Sequence, residues 1–193
     1  MYNHSNMLSD SDWTYVQKDY AAGKEGSVHV ININGTNAIL KQFKSTKSPD
    51  KLSKEATLQE AAFQAGVAPE VYAVDRKAKR IFMQGIEKRL VDVIREKPEP
   101  WALTADEKLQ IQLLMKKLDS CGVFHNDGNA LNLMCQREGG RNRIYLIDYG
   151  MSRQIDRKLL RKTDEPNIRY TLEALKRSLK HYRIKAWDNM DKK

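Results

Sequence analysis

The first part of the chain contains short runs of apolar, aromatic and β-branched residues separated by turn residues, a pattern typical of β-strands. Asn34 and Gly35 form a strong hairpin signal between two of these runs, because both residues tolerate the positive φ that tight turns require. The pattern predicts strands over residues 13–21, 28–33, 37–43, 71–74 and 80–84. We therefore expect a β-rich unit at the start of the chain.

Helical spacing of the apolar residues begins at about residue 52 and dominates the later part of the chain. A helix is predicted over residues 52–65, with Gly66 as its stop signal. Residues 104–107 have the form of a capping box, which opens a helix that runs to about Ser120. The remaining predictions are a loop over 97–100, helices over 90–96 and 167–182, and strands over 133–135 and 144–147.

Composition allows one generous domain or two small lobes that share a cleft, since the chain has 193 residues. Hydrophobic residues make up 40% and charged residues 31%, and no run approaches the roughly 18 apolar residues of a membrane span. The N-terminus lacks the basic start and apolar centre of a signal peptide. We therefore expect a cytoplasmic protein with no membrane partner, in which Cys121 and Cys135 are reduced thiols.

Positive charge is in excess, with 34 Lys and Arg against 25 Asp and Glu and a formal net charge of +9. Such an excess permits contact with nucleic acid or acidic proteins. The basic residues are spread out, with concentrations at residues 41–54, 157–162 and 176–185. Solvated helix faces explain most of this distribution, and the nucleic-acid interpretation stays open.

A glycine-containing turn, residues 21–28, separates the first two predicted strands. Its glycines would let the backbone close over phosphates, although an ordinary hairpin turn has a similar composition. Lys41 lies on the next, otherwise apolar strand, where it is either an edge charge or a ligand of nucleotide phosphates. The second role needs a carboxylate on the following helix, for which Glu55 is the first candidate and Glu60 the weaker one.

A second group of polar residues follows the long predicted helix. Asp127 and Asn132 lie five residues apart in a loop, which by itself is common in ordinary loops. Asp148 directly follows a buried strand and precedes Tyr149 and Gly150. An unpaired buried carboxylate is costly, and a divalent metal would explain one here. Asn132 and Asp148 offer the hard oxygen ligands that Mg²⁺ prefers.

The order of these motifs resembles that of the protein kinase-like superfamily, and most closely its RIO and Bud32 branch of atypical Ser/Thr protein kinases. Five motifs follow one another over roughly residues 15–153. They are a glycine-rich loop, a strand lysine, a helical glutamate, a His-x-Asp loop with Asn five residues after the Asp, and an Asp-aromatic-Gly triplet. The resemblance implies an α+β, bilobal fold, with an antiparallel β N-lobe that carries one helix and a reduced, mostly helical C-lobe. The implied division is a tail over 1–12, a nucleotide-binding lobe over 13–85 and a catalytic lobe over 86–193.

Site roles follow from the same resemblance. It implies that ATP is contacted by Gly23, Gly26, Val28, Ala38, Lys41, Glu55, Met83, Gln84 and Ile86. Lys41 and Glu55 are implied to form the ion pair on the phosphates, and Met83 to stand at the gatekeeper position. Lys41 and Asp127 are the implied catalytic residues, and Asp127 orients the acceptor hydroxyl and takes its proton. Asn132 and Asp148 are implied to hold Mg²⁺.

The chain departs from typical Ser/Thr kinases at several positions. Asn126 stands where those enzymes carry Arg and Asn129 where they carry Lys, and both departures favour the RIO and Bud32 branch. Because Asn126 offers no positive charge to a phosphate, we expect that no activating phosphorylation on Ser152 or Thr163 is needed. Ala21 replaces the first glycine of the loop, no Ala-Pro-Glu motif follows Gly150, and residues 168–173 lack an aspartate that this branch often has.

The sequence thus favours an ATP- and Mg-dependent Ser/Thr protein kinase whose partner is a protein substrate. A nucleotide-binding module, either an ATPase or a pseudokinase in an RNA-processing or other multiprotein assembly, stays open as an alternative. A small-molecule kinase of the aminoglycoside or choline type fits less well, because such enzymes need a larger helical C-lobe than this chain provides. The sequence leaves the oligomeric state open.

Overall fold

A five-stranded antiparallel sheet occupies the first part of the computed structural model, which describes residues 8–187. The strands are β1 (Trp13–Ala22), β2 (Gly26–Ile33), β3 (Thr36–Phe43), β4 (Val71–Asp75) and β5 (Arg80–Gln84). Their spatial order is β1-β2-β3-β5-β4. With the helices described below, the fold is α+β, as the sequence predicts.

The turn between β2 and β3 has the predicted geometry. Asn34 and Gly35 both adopt positive φ, at 50° and 86°. The Gly35 N–H donates to Asn32 Oδ1 over 2.9 Å, which satisfies a backbone donor inside the turn. The hairpin places β3 in the middle of the sheet, where it pairs with β2 on one side and β5 on the other.

Helix α1 (Pro49–Gln64) connects β3 to β4 and begins before the predicted start at residue 52. Ser48 caps the helix by accepting a hydrogen bond from the Lys51 N–H, and a proline at the first helical position is compatible with this start. The helix ends at Gln64, with Ala65 as its C-cap residue, and Gly66 follows with φ of +71°. Leu52 and Ala56 pack on the sheet, whereas Leu58 and Ala62 pack in the core of the second part of the chain.

The second part of the chain combines helices with short strands. The helices are α2 (Leu90–Arg95), α3 (Ala105–Ser120), α4 (Arg157–Leu160) and α5 (Glu173–His181), the last preceded by a π-helical turn over Asn167–Leu172. The strands are β6 (Lys88–Arg89), β7 (Val123–Phe124), β8 (Leu133–Glu138), β9 (Arg141–Leu146) and β10 (Arg153–Gln154). They form one sheet of order β6-β8-β9 and a separate pair, β7 with β10.

The long helix α3 begins as predicted. Thr104 Oγ1 accepts from the Glu107 N–H, and the Glu107 carboxylate accepts from the Thr104 N–H, so the capping box is complete. The buried face of α3, which includes Ile111, Met115 and Leu118, packs in the larger core. That core also contains Leu133, Leu146 and Tyr149 and thereby supports the loops that carry the polar motifs.

Several elements differ from the sequence predictions. The two strands predicted over 133–135 and 144–147 are longer and form one hairpin, β8–β9, through Gly139 and Gly140, both of which have positive φ. The sequence analysis missed β6, β7, β10 and α4, which are too short to show a periodic pattern. The last helix, predicted over 167–182, opens with the π-helical turn and ends at His181.

The predicted division into a tail, an N-terminal lobe and a C-terminal lobe stays a prediction. Parts of it, residues 1–7 and 188–193, lie outside the described residues. Within residues 8–187, no helix is both long enough and apolar enough to cross a membrane.

We predict that Gly26→Ala destabilises the fold, because an added Cβ would lie 2.1 Å from the carbonyl oxygen of Gln42 on the neighbouring strand. The expected loss is about 1–3 kcal/mol of unfolding free energy, the usual cost of overpacking. Gly23→Ala is the matched control, because an added Cβ there has no atom within 4 Å, and we expect it to change stability by less than about 0.5 kcal/mol. Urea unfolding of both variants measures the difference, and equal midpoints would contradict the prediction.

Candidate active site

A cavity of about 450 Å³ lies between the five-stranded sheet and the loops of the second part of the chain. Its walls come from β1, β2 and β3, from α1, from the segment that follows β5, and from the loops around residues 131–134 and 147–148. The lining is mostly apolar at the sheet and carries a group of ionisable side chains at one end.

Most of the residues predicted to contact ATP or metal line this cavity. They are Val28, Ala38, Lys41, Glu55, Met83, Gln84, Ile86, Asn132 and Asp148. Gly23 and Gly26 do not line it, although Ala21 of the same turn does. Asp127 also lies outside the lining, but it contacts Asn132, which is part of it. The roles assigned to these residues stay predictions.

Lys41 is the centre of the charged group. Its Nζ lies 2.5 Å from Glu55 Oε1 and 2.8 Å from Asp148 Oδ1, and its side chain is 15% exposed. Ile39 and Lys41 lie two residues apart on β3 and so share the face of the strand that borders the cavity. Burial by itself would lower the pKa of Lys41, but the carboxylates of Glu55 and Asp148 outweigh it and leave the pKa raised. The ammonium group is therefore held in its charged form.

Of the two candidate glutamates on α1, Glu55 contacts the lysine. Its side chain is 3% exposed. Glu60 instead accepts a hydrogen bond from Gln64 Nε2, one turn further along the helix. The sequence analysis ranked the two glutamates in this order.

The sequence analysis missed a second lysine at Glu55. Lys47 Nζ lies 2.7 Å from Glu55 Oε2 and 2.7 Å from Glu25 Oε2, and Glu25 belongs to the glycine-containing turn. The Lys47 side chain is only 7% exposed. In the sequence, Lys47 is one of several lysines in a basic stretch, and no local signal distinguishes it from its exposed neighbours.

Asp127 and Asn132 are joined across their loop. Asn132 Nδ2 donates to Asp127 Oδ2 over 2.9 Å, so the amide fixes the orientation of the carboxylate. The loop backbone is shaped by two other asparagines: Asn126 adopts a φ of +62°, and Asn129 Oδ1 accepts from the Leu131 N–H. The 3₁₀ turn over Ala130–Asn132 follows directly.

A buried asparagine, Asn167, holds this loop in place through hydrogen bonds. Its Oδ1 accepts from the His125 N–H over 3.0 Å, and its Nδ2 donates to Asp119 Oδ1 and to the Val123 carbonyl. Burial raises the pKa of Asp119, while its hydrogen bonds with Asn167 act in the opposite direction. Residues 168–173 contain no aspartate, and the contact to the loop is made by Asn167, one residue earlier.

Asp148 follows β9 with a left-handed φ of +65°, which aspartate tolerates better than most residues. The Ile147 N–H donates to the Asn132 carbonyl, so the segment that carries Asp148 is bonded to the loop that carries Asn132. The Asp148 side chain is 49% exposed and pairs with Lys41, so it is not the unpaired buried carboxylate that the sequence pattern suggested. Partial burial raises its pKa, but the Lys41 ammonium group outweighs this effect and leaves the pKa lowered. Asp148 is therefore an anion at neutral pH.

The donor set suits Mg²⁺ better than a transition metal. Within residues 8–187 there is no group of three or more His, Cys, Asp or Glu side chains that could hold a metal ion. Mg²⁺ does not need one, because it binds through one or two protein oxygens and fills its other positions with waters and phosphate oxygens. Asn132 and Asp148, which both line the cavity, fit that requirement.

The segment after Asp148 is packed against the loop. Tyr149 is buried, and its ring lies edge-on to the ring of His125 with centroids 4.9 Å apart. Ser152 is also buried, and its hydroxyl donates to the His125 carbonyl. A phosphate on Ser152 would therefore need this segment to open. Asn126 Nδ2 reaches the Met151 carbonyl at 3.4 Å.

Comparison with protein-family models gave no match to this sequence, and a search of curated proteins gave none either.

We predict that His125 makes stability depend on pH. Burial holds the pKa of His125 below its usual value, against the opposing effects of its hydrogen bond to the Ile147 carbonyl and of the charges of Asp127 and Asp148. A lowered folded-state pKa means that His125 contributes stability above about pH 6.5, and that this contribution is lost as the pH falls, at up to about 1.4 kcal/mol per pH unit.

The measurement is the unfolding free energy of wild type and His125→Gln between pH 7.5 and 5. We expect the wild type to lose more stability than the variant over this range, because only the wild-type unfolded chain can take up a proton at this position. Parallel curves for the two proteins would contradict the prediction.

Proposed function

We propose that this chain is an ATP- and Mg-dependent phosphotransferase, and specifically a Ser/Thr protein kinase that transfers the γ-phosphate to a protein hydroxyl. One observation carries the proposal: Lys41 contacts both Glu55 and Asp148, which lie 14 and 107 residues away in sequence. The resemblance to the protein kinase-like superfamily assigns these three residues to one phosphate-binding centre. In this proposal residues 13–85 form the N-terminal lobe and residues 86–193 the catalytic lobe of a bilobal kinase-like fold.

The cavity suits the nucleotide. A volume of about 450 Å³ lies within the range of ordinary ligand pockets. Val28, Ile39 and Met83 provide an apolar surface for a purine ring, and the backbone at Gly85 and Ile86 provides hydrogen-bonding groups beside it. In this arrangement the phosphates lie at the charged end, with Lys41.

The metal and the acceptor would lie at the same end. Asn132 and Asp148 are the residues that would hold Mg²⁺, which supplies positive charge to the phosphate oxygens when it is bound. Asp127 is oriented by the Asn132 amide, 2.9 Å away. In the proposed transfer, the bond between the γ-phosphorus and the leaving ADP oxygen breaks, a bond to the acceptor hydroxyl oxygen forms, and the hydroxyl proton passes to Asp127.

The decisive experiment is incubation with γ-labelled ATP and Mg²⁺, with and without a generic acidic or basic protein acceptor. Label on protein supports the kinase, and free phosphate alone supports an ATPase that acts in a multiprotein or RNA-processing assembly. A protein acceptor is the proposed partner, and label on a small aminoglycoside or choline instead would point to a small-molecule kinase. No transfer and no hydrolysis would contradict the proposal.

We predict that Lys41→Ala and Asp148→Asn each reduce transfer by about 10²-fold or more, because positioning and charge neutralisation carry most of phosphoryl-transfer catalysis. Both variants should unfold cooperatively, since Lys47 still pairs with Glu55 when Lys41 is removed. Initial rates at saturating ATP and circular dichroism melting provide the two measurements. Rates within a few-fold of wild type in both variants would refute the assignment of the site.

We also predict that Asp127→Asn loses transfer but still binds nucleotide, because the carboxylate lies outside the cavity lining and its proposed contact is with the acceptor hydroxyl. Calorimetric titration with a non-hydrolysable ATP analogue and Mg²⁺ compares the affinities of variant and wild type. We expect dissociation constants within about threefold of each other. A variant that no longer binds the analogue would show that Asp127 belongs to the nucleotide or metal shell.

A further inference from the structure

Lys47 joins two parts of the chain that border the charged end of the cavity. Its Nζ lies 2.7 Å from Glu25 in the glycine-containing turn and 2.7 Å from Glu55 on α1. The same ammonium group lies 4.2 Å from the centroid of the Phe43 ring. With two carboxylates and an aromatic face around it, the side chain is 7% exposed. A lysine buried in this way is not an ordinary surface charge.

Glu55 divides its two oxygens between two lysines. Oε1 contacts Lys41 and Oε2 contacts Lys47. A carboxylate that has one cationic partner can still rotate about its terminal torsion, which is broad. The second partner restricts this rotation and keeps Oε1 directed at Lys41. Lys47 therefore influences the position of Lys41 indirectly, through Glu55.

Glu25 provides the other end of the link. Its side chain is 48% exposed and pairs with Lys47, while its backbone carbonyl accepts a hydrogen bond from the Lys44 N–H. The close approach extends to Gly150, where an added Cβ would lie 2.9 Å from Glu25 Oε2 and 3.4 Å from Glu55 Oε2. The turn, helix α1 and the segment after Asp148 therefore meet at the two carboxylates that Lys47 binds.

We propose that Lys47 is a positioning residue for phosphate transfer: by bridging Glu25 and Glu55 it holds the glycine-containing turn on α1 and keeps Glu55 directed at Lys41. The inference rests on the proposed phosphotransferase function. Lys47 would not contact the nucleotide itself. It would act through the glycine-containing turn, which would cover the phosphates, and through the Lys41–Glu55 ion pair, which would bind them.

The test compares Lys47→Met with Lys54→Met. Methionine has an unbranched side chain of similar length but removes the charge. Lys54 is exposed on α1 next to Glu55 and has no ion pair within residues 8–187, so Lys54→Met removes a nearby positive charge without breaking the bridge. We expect Lys47→Met to lower kcat/KM for ATP at least tenfold, and Lys54→Met to stay within twofold of wild type.

Four further measurements separate positioning from a general loss of structure. Lys47→Arg should recover kcat/KM to within about threefold of wild type, because a guanidinium group can donate to both carboxylates. Glu25→Gln, which breaks the bridge at its half-exposed end, should lower kcat/KM in the same direction. The double variant Glu25→Gln/Lys47→Met should be no worse than Lys47→Met alone, because both changes break the same link. Hydrogen exchange of the amides of residues 21–28 should be faster in Lys47→Met than in Lys54→Met.

The outcomes distinguish the two proposals. An inactive wild type overturns the proposed function, and the positioning role with it. An active wild type with Lys47→Met within twofold of it overturns the positioning role alone. Unchanged hydrogen exchange in residues 21–28, additive losses in the double variant, or failure of Lys47→Arg to recover activity would also overturn it.

Discussion

The buried carboxylate of Glu55 is the constraint on which the arrangement of the candidate site depends. A carboxylate that is 3% exposed costs several kcal/mol unless positive charge and hydrogen bonds compensate for its lost hydration. Here each oxygen has its own ammonium group, Lys41 from the centre of the sheet and Lys47 from the loop that precedes α1. Neither lysine can move far without leaving the carboxylate undercompensated. The sheet, the loop and α1 are thereby held in one arrangement.

The loop of Asp127 is held in a different way, mainly by neutral amides. Asn132 donates a hydrogen bond that orients the Asp127 carboxylate. Asn167 accepts from the His125 N–H and donates to the Asp119 carboxylate. Amides offer both a donor and an acceptor, so one side chain can join two backbone groups and a carboxylate without adding charge beside Asp127. Asp119 contributes a carboxylate to this network, and it contacts the loop only through Asn167 in these hydrogen bonds. The loop is thus fixed by hydrogen bonds, and the ion pairs are concentrated around Lys41.

Local signals in the sequence predicted the elements whose causes are local. The Asn34 and Gly35 turn and the capping box at Thr104 depend on residues within four positions of each other, and both are present in the structure. The strand that carries Lys41 was predicted in the same way, but its pairing with Glu55 and Asp148, 14 and 107 residues away, was expected only from the family resemblance. Lys47 could not be predicted, because what distinguishes it from other lysines is contact with carboxylates 22 and 8 residues away. The two-residue strands and the role of Asn167 depend on tertiary packing in the same way.

The balance of negative and positive side chains around Lys41 provides a physical reason for the proposed metal ion. Three carboxylates, Glu25, Glu55 and Asp148, surround the two ammonium groups of Lys41 and Lys47 at and beside the charged end of the cavity. Both lysines are already paired, so a polyphosphate that entered without a cation would meet an excess of negative charge in partly desolvated surroundings, where Coulomb interactions are stronger than in water. A divalent cation that arrives with the nucleotide reverses this balance and gives Asp148 a second partner. Under the proposed function, this arrangement of paired lysines would favour a nucleotide–metal complex over the free nucleotide, as a Mg-dependent phosphotransferase requires.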